Sequence, residues 1–456
     1  MIKSSFAARL TIIASLSLAA EAHANVVTEN SVVAEWYALA NACTATNRPG
    51  PVQILDMAVV QAAVHNAVQA IERQYEPYLA PVAATGSEST AAAAASAAYN
   101  VLAVICPTSL ASLDAAFKPW KDGLDPGLAV GAAAAAAMLA EVRPAPVVPP
   151  FTGGTGVGEW QPQAPATSMA FLYLATTKPF TIQSPSQFRA PPPPALNSEV
   201  YIRDYEEVKK VGDVNFHTRG ALCPAPRETE VGRFWSGNIV SQWNDTVRNI
   251  AVDRQLSIGE SARLLALASL AVADAGITVW DSKRFYNFWR PYGAIRTDDG
   301  IPETVGDPAW TPFLQSAYFP AGSQTPAYPD YSSGANGVTG AYVTILQLFF
   351  RGDWLRFEIN KATSPVVAIC TNPRVYRRFS EAAQEVVDAR IYLGIHFRFA
   401  DEEARRQGTQ VAYWAFSRYL RPYDTTEPLL YDHQDPPPSG ASAPSGAQAP
   451  VVGGEN

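Results

Sequence analysis

Twelve of the 37 prolines in this 456-residue chain fall between residues 143 and 200, four of them in the unbroken run Pro191 to Pro194. Proline has no amide hydrogen and its ring clashes with the preceding turn, so no regular helix crosses such a stretch. On either side the pattern reverses. From Val32 to Ala84 and from Thr90 to Val142 the sequence is rich in alanine, with Pro and Gly at the breaks, and the runs AAAAAS and GAAAAAAMLAEV favour helix on propensity alone. Helical pattern returns at Tyr201 and dominates to Leu420. There Ser257-Ile258-Gly259-Glu260 has capping-box form ahead of ARLLALASLAVADAGITVW, in which Arg263 and Asp274 mark a buried helix rather than a membrane span. Strand signals are scarce. The expected fold is all-α, with helical bundles in an N-terminal half (25–142) and a second half (201–425), joined by an extended crossing loop at 143–200.

The two ends read differently. Lys3 and Arg9 flank an apolar run from Leu10 to Ala20 that is too short to span a bilayer, and Ala22-His23-Ala24 has the small-x-small form of a signal-peptidase site. Residues 1–24 are therefore expected to be a signal peptide, which places the mature chain in the periplasm or outside the cell with no integral membrane segment. Residues 426–456, rich in Pro, Gly, Ser and Ala without periodicity, are expected to be a disordered tail. A chain that is 48% hydrophobic and 17% charged is neither disordered nor a coiled coil. Its net charge of −8 offers no general attraction to nucleic acid, so any anion site is local. Cys43, Cys106, Cys223 and Cys370 lack CxxC spacing, and an even count in an oxidising compartment predicts two disulfides. Of the three pairings, Cys43–Cys106 with Cys223–Cys370 is expected because each bridge joins segments of the same half.

Residues suited to chemistry concentrate in three places. In KRFYNFWRP, Lys283 and Arg290 are seven apart, about two helical turns; Pro291 is expected to end the helix with Arg290 at its mouth, among Trp280, Phe285, Phe288 and Trp289. In YPDYSSGANGVTGA, Ser333-Gly334 precedes an expected helix, whose first N–H groups and nearby hydroxyl form an oxyanion cradle or an ordinary cap. In ARIYLGIHFRF, Arg390 and His396 are six apart and converge only if the helix breaks, which Gly394 permits.

Taken together, Lys-x6-Arg-Pro, then Ser-Gly at a helix start, then Arg-x5-His resembles the three-part signature of the vanadium-dependent haloperoxidase and type-2 phosphatidic acid phosphatase superfamily. Residues 56–78, 179–196 and 307–314 extend the likeness to its secreted bacterial haloperoxidase-like branch, over nearly the whole mature chain. The resemblance implies that Lys283, Arg290, Ser333, Gly334 and Arg390 hold the oxygens of vanadate or phosphate. It further implies that His396 binds the central atom, as vanadium's axial ligand or as a phosphatase nucleophile, and that Trp280 and Tyr328 border a halide or substrate pocket. Hydrogen peroxide, halide and a small molecule would be the partners. Three cations around equatorial oxygens, with an imidazole at one apex, suit a five-coordinate oxoanion.

One position departs from the signature. Where the family reads Ser-Gly-His, this chain has Ala335, followed by Asn336 and Gly337. The family histidine faces the opposite apex as an acid–base group, a role alanine cannot fill, and a general acid typically contributes 10²–10⁴-fold. His217, in VNFHTRG, is either a replacement from another segment or an ordinary loop histidine. The acidic position that follows the family's other histidine is also displaced, with Ala400 standing there and Asp401 next. Three readings remain: a haloperoxidase-like enzyme, fully active or impaired by Ala335, an acid phosphatase acting through His396, and a non-catalytic oxoanion-binding homologue.

Overall fold

The computed structural model describes residues 31–423 apart from 48–49, 142–146, 218–222, 321 and 361–369. The expected signal peptide and C-terminal tail lie outside the described residues. Among the described residues the chain forms helices α1 (Val32–Asn47), α2 (Gly50–Glu72), α3 (Thr90–Ile105), α4 (Leu110–Asp122) and α5 (Gly127–Glu141) in the first half. The second half adds α6 (Glu199–Val211), α7 (Arg227–Phe234), α8 (Ile239–Asp253), α9 (Ile258–Tyr286), α10 (Pro291–Arg296), α11 (Gly334–Phe349), α12 (Phe379–Tyr392) and α13 (Arg398–Arg418). An all-α fold was expected, and helices dominate.

A two-stranded antiparallel hairpin, β1 (Trp354–Ile359) and β2 (Arg374–Arg378), interrupts the helical pattern expected to run to Leu420. In it, Phe357, Ile359 and Tyr376 turn inward while Glu358 and Arg377 turn out. That is the period-two burial of a half-covered strand.

The helix α9 is the axis of the structure. Its N-terminus has the expected capping box, with the Ser257 hydroxyl accepting from Glu260 N and the Glu260 carboxylate accepting from Ser257 N. Every residue from Ser261 to Trp280 is buried. By length and composition α2 and α9 are apolar enough to cross a membrane, and both are largely enclosed by other helices of the protein. One apolar core runs from Val32 and Trp36 of α1, through α3, α9 and α11, to Leu420 beyond α13. The disulfides are Cys43–Cys106, tying α1 to the end of α3, and Cys223–Cys370, as the same-half argument expects.

The Pro-rich crossing loop is not merely a connector. Its described part packs Trp160, Met169, Leu172 and Leu174 against Val279 and Trp280. Further on, the buried Asp274 carboxylate of α9 accepts from Phe180 N (2.7 Å), Thr181 N (2.6 Å), Ile182 N (3.1 Å) and the Thr181 hydroxyl. About two turns along, Asp281 accepts two bonds from Arg189 (2.6 and 2.9 Å). A segment without regular structure thus has its free amides satisfied by side chains of a helix, which the backbone alone could not do. Burial pushes the Asp274 carboxyl up to about 6 even with those four donors. Asp274→Ala would strand the donors in a buried site, and we expect a loss of about 3 kcal/mol of stability, measurable as a lower denaturant midpoint.

Candidate functional site

The loop at Tyr328–Asp330 is the point on which the three sequence clusters converge. Lys283, on the last turns of α9, is fully buried and its Nζ donates to the carbonyls of Pro329 (2.7 Å) and Asp330 (2.9 Å). Arg290 is equally buried; Nε donates to Tyr328 O (2.6 Å) and Nη1 to Ile395 O (2.6 Å). Both cations lie 4.9 Å from the centre of the Tyr328 ring. The expectation that Pro291 ends the helix is corrected here. The helix α9 stops earlier, at Asn287 in the left-handed region, and Pro291 is the first residue of α10, with Arg290 as its N-cap. Proline suits a helix's first position because that amide has no partner anyway.

The two other clusters behave as their spacing implies. Ser333 is the N-cap of α11 and its hydroxyl makes no capping bond. Gly334 lies beneath Trp280, where a Cβ would come within 3.2 Å of the indole. The helix α12 ends at Tyr392, and Gly394 (φ 73°) turns the chain so that Arg390 and His396 reach one pocket. A side chain at Gly394 would also meet Gly212 O at 2.6 Å. Trp280 donates from Nε1 to Ala170 O (3.2 Å) and packs its ring 5.1 Å from that of Tyr328, closing one wall.

Two carboxyls complete the site, and neither was assigned from the sequence. Asp330 is wholly buried, and its Oδ1 lies 2.6 Å from His396 Nδ1 and 3.9 Å from Arg290 Nη1. The other ring nitrogen, Nε2, faces Arg290 Nη1 at 3.5 Å. A neutral imidazole with its proton on Nδ1 would turn that proton to Asp330 and leave the lone pair of Nε2 on the other side, and burial together with Arg290, Lys283 and Arg390 holds its pKa well below the usual histidine value. Asp401, in the first turn of α13, is also wholly buried and accepts from Asn336 Nδ2 at 2.7 Å. Burial raises Asp330 to about 7 and Asp401 to about 8. A Pro-Asp step reads as a turn, so Asp330 carried no distinctive signal. Asp401 was visible only as a displaced acid.

His217 lies elsewhere. Nδ1 and Nε2 are engaged by the Thr229 hydroxyl and Val211 O, both at 2.8 Å, and the ring stacks on Phe313 at 3.8 Å. It is a core histidine.

The donor set fits an oxoanion. Lys283, Arg290 and Arg390 bring three cations toward carboxyls whose charge burial suppresses. Arg290 Nη2 and Arg390 Nε are buried without a hydrogen-bond partner among the described residues. Orphaned guanidinium donors in a dry site call for an acceptor, and a tetrahedral anion supplies several. Burial and neighbouring cations hold Lys283 well below its ordinary pKa, a cost that a bound anion would relieve.

Residues 263–425 match the VCPO second helical-bundle domain family. Vanadium chloroperoxidase from Curvularia inaequalis is 27% identical over 287 residues, 51% of this chain and 46% of that protein, so the match spans less than half the length of the curated relative. A bacterial vanadium-dependent iodoperoxidase superposes with a TM-score of 0.71 at 22% identity, over 87% of this chain and 97% of that one. The holo form of a bacterial vanadium-dependent chloroperoxidase does so with 0.61 at 17% identity, over 80% and 91%. The second half of this chain is thus similar in sequence to the second helical-bundle domain of vanadium chloroperoxidase, and its helical fold is that of the bacterial vanadium-dependent haloperoxidases.

Proposed function

We propose that this protein binds vanadate, or phosphate in the same place, at the pocket formed by Lys283, Arg290, Ser333, Gly334, Arg390 and His396, and that it is an exported haloperoxidase-like enzyme. The observation that carries the reading is the convergence of Lys283 and Arg290 from separate elements on one loop, with Arg290 Nη2 and Arg390 Nε left without a hydrogen-bond partner among the described residues and Arg290 beside Nε2 of His396. Bound vanadate would supply activation of hydrogen peroxide toward halide, the activity that the relatives' names describe. The chain's own residues do the rest. Lys283 and the two arginines neutralise the oxygens, and the Ser333 hydroxyl with the first amides of α11 faces a further oxygen. Asp330 holds the ring of His396 with Nε2 toward the pocket. Trp280 and Tyr328 exclude water on one side and offer an aromatic wall to a halide or organic substrate. Two disulfides agree with an oxidising, exported setting.

A second reading, hydrolysis of a phosphate ester, has the Asp330–His396 contact in its favour, since a neutral imidazole backed by a carboxyl is also an activated nucleophile. Calorimetric titration with phosphate and with vanadate, followed by halide-dependent peroxidase and phosphatase assays, separates the two. Both anions should bind with saturation. His396→Ala should weaken vanadate more than phosphate, by roughly 10- to 100-fold, because only vanadium forms a coordinate bond to nitrogen. Absence of saturable binding by the unmutated protein overturns the proposal.

A further inference from the structure

We propose that Gln407 is a positioning residue of the pocket, a buried amide that sets Lys283 against the Ser333–Gly334 helix start by bonding to the residue that precedes each of them. The inference rests on the oxoanion reading above and adds to it the group that holds two parts of the binding set in register.

Gln407 lies on α13 and is wholly buried. Its Oε1 accepts from the Ser332 hydroxyl, and its Nε2 donates to Ser282 Oγ (3.0 Å) and to Phe188 O (2.8 Å). Ser332 stands immediately before Ser333, and Ser282 immediately before Lys283. One side chain therefore joins α9, the start of α11 and the end of the crossing loop. Seven residues earlier on the same helix, about two turns, Ala400 O accepts from Ser333 N (3.1 Å). The helix α13 thus grips the Ser332–Ser333 step at two levels.

The direction of each bond is fixed by the groups that meet. Phe188 O can only accept, which places Nε2 on its side and turns Oε1 to Ser332. Ser282 spends its hydrogen on Thr278 O (3.1 Å), so its oxygen also only accepts, from Gln407 and from Ala190 N (3.2 Å). With Ser332 donating, no hydrogen in the network is free to reverse. It is a rigid peg and carries no proton.

The end of the crossing loop is tied down beside it. Tyr286 donates its hydroxyl to Ala190 O (2.6 Å), and Tyr331, next to Ser332, donates to Pro191 O (2.8 Å). Arg189 between them binds Asp281 of α9. An irregular segment cannot satisfy its own polar groups, so it takes partners from α9 and from the loop that carries Asp330. Without the Gln407 amide, Phe188 O and the Ser332 hydroxyl would both be stranded. The Ser332–Ser333 step would then shift to find other partners, carrying the Ser333 hydroxyl and Gly334 out of register with Lys283.

The test uses the full chain with inorganic phosphate as the probe. Gln407→Met keeps the side-chain volume and removes all three bonds, whereas Ser332→Ala removes only the one toward α11. Each should weaken phosphate by about 10-fold in calorimetry, the low end of what a supporting partner contributes, and should shift the phosphorus resonance of the bound anion. The double variant should bind within about three-fold of Gln407→Met alone, because both substitutions break the same bond. A merely structural amide would lower the denaturant midpoint while folded molecules kept the unmutated Kd and phosphorus resonance. That result, or losses that multiply in the double variant, overturns the inference. If Gln407→Met does not fold, Ser332→Ala alone decides. Hydrogen exchange reads the same positions without a ligand: amides of residues 328–337 should exchange faster in both variants while those of α3 keep their protection. Unchanged exchange at 328–337 overturns the inference whether or not phosphate binds. Failure of the oxoanion reading shows separately, as absence of saturable binding by the unmutated protein.

Discussion

Arg290→Gln should abolish most of the affinity for phosphate. Arg290 is the only described side chain that touches the Tyr328 carbonyl, the Ile395 carbonyl and the His396 ring together, and its Nη2 remains unpaired for a ligand. Glutamine removes the charge and the fork while leaving a polar group of similar length. Truncating one member of a buried charge cluster typically costs about 2–5 kcal/mol, which is roughly 30- to several-thousand-fold in Kd. Part of that cost is internal, because Asp330 loses a cation at 3.9 Å and two buried carbonyls lose their donor. Calorimetry on the variant, paired with far-ultraviolet circular dichroism, checks it. A Kd within a factor of about three of the unmutated value, with the helix signal intact, would remove Arg290 from the binding set. Lysine at this position should rescue little, since a point charge cannot reproduce two bonds in different directions.

The second large effect concerns the frame rather than the pocket. Where α11 and α13 cross, a Cβ at Gly408 would lie 2.0 Å from Gly337 O, and one at Gly340 would lie 2.3 Å from Arg405 O. These are backbone atoms and cannot step aside like a side-chain tip. Even Gly408→Ala must therefore push two buried helices apart. Overpacking of this severity is expected to cost about 3–5 kcal/mol, a large share of the roughly 5–15 kcal/mol that holds a domain folded. Ser333 and Asn336 ride on one of these helices and Asp401 on the other, so phosphate binding should weaken together with the denaturant midpoint. A change of less than about 1 kcal/mol would show that the crossing is looser than the contact implies.

Why some of the site was legible in the chain and some was not follows from how each residue reaches it. Lys283, Arg290, Ser333, Gly334, Arg390 and His396 lie in short motifs whose spacing is converted to position by local backbone rules: a helical rise, an N-cap, a glycine break. The same rules located the capping box at Ser257 and Glu260. Their one failure in this group was local too: a proline that starts a helix and one that ends it look alike until the neighbouring carbonyls are placed.

Asp330 and Asp401 are different. Nothing in Pro-Asp-Tyr or in Ala-Asp-Glu distinguishes them from surface acids, and their chemistry comes from surroundings assembled out of distant segments. Asp330 acquires His396 from 66 residues away, and Asp401 acquires Asn336 from 65 residues away. The Pro-rich segment is a similar case, because its free amides are satisfied by Asp274, whose role on α9 no periodicity announces. The sequence by itself determined the helical class and supplied the cations and imidazole of the candidate pocket, both set by neighbours along the chain. Only the tertiary structure decided which carboxyls face them and in what protonation state, because desolvation and long-range contact exist only once the chain has closed around them.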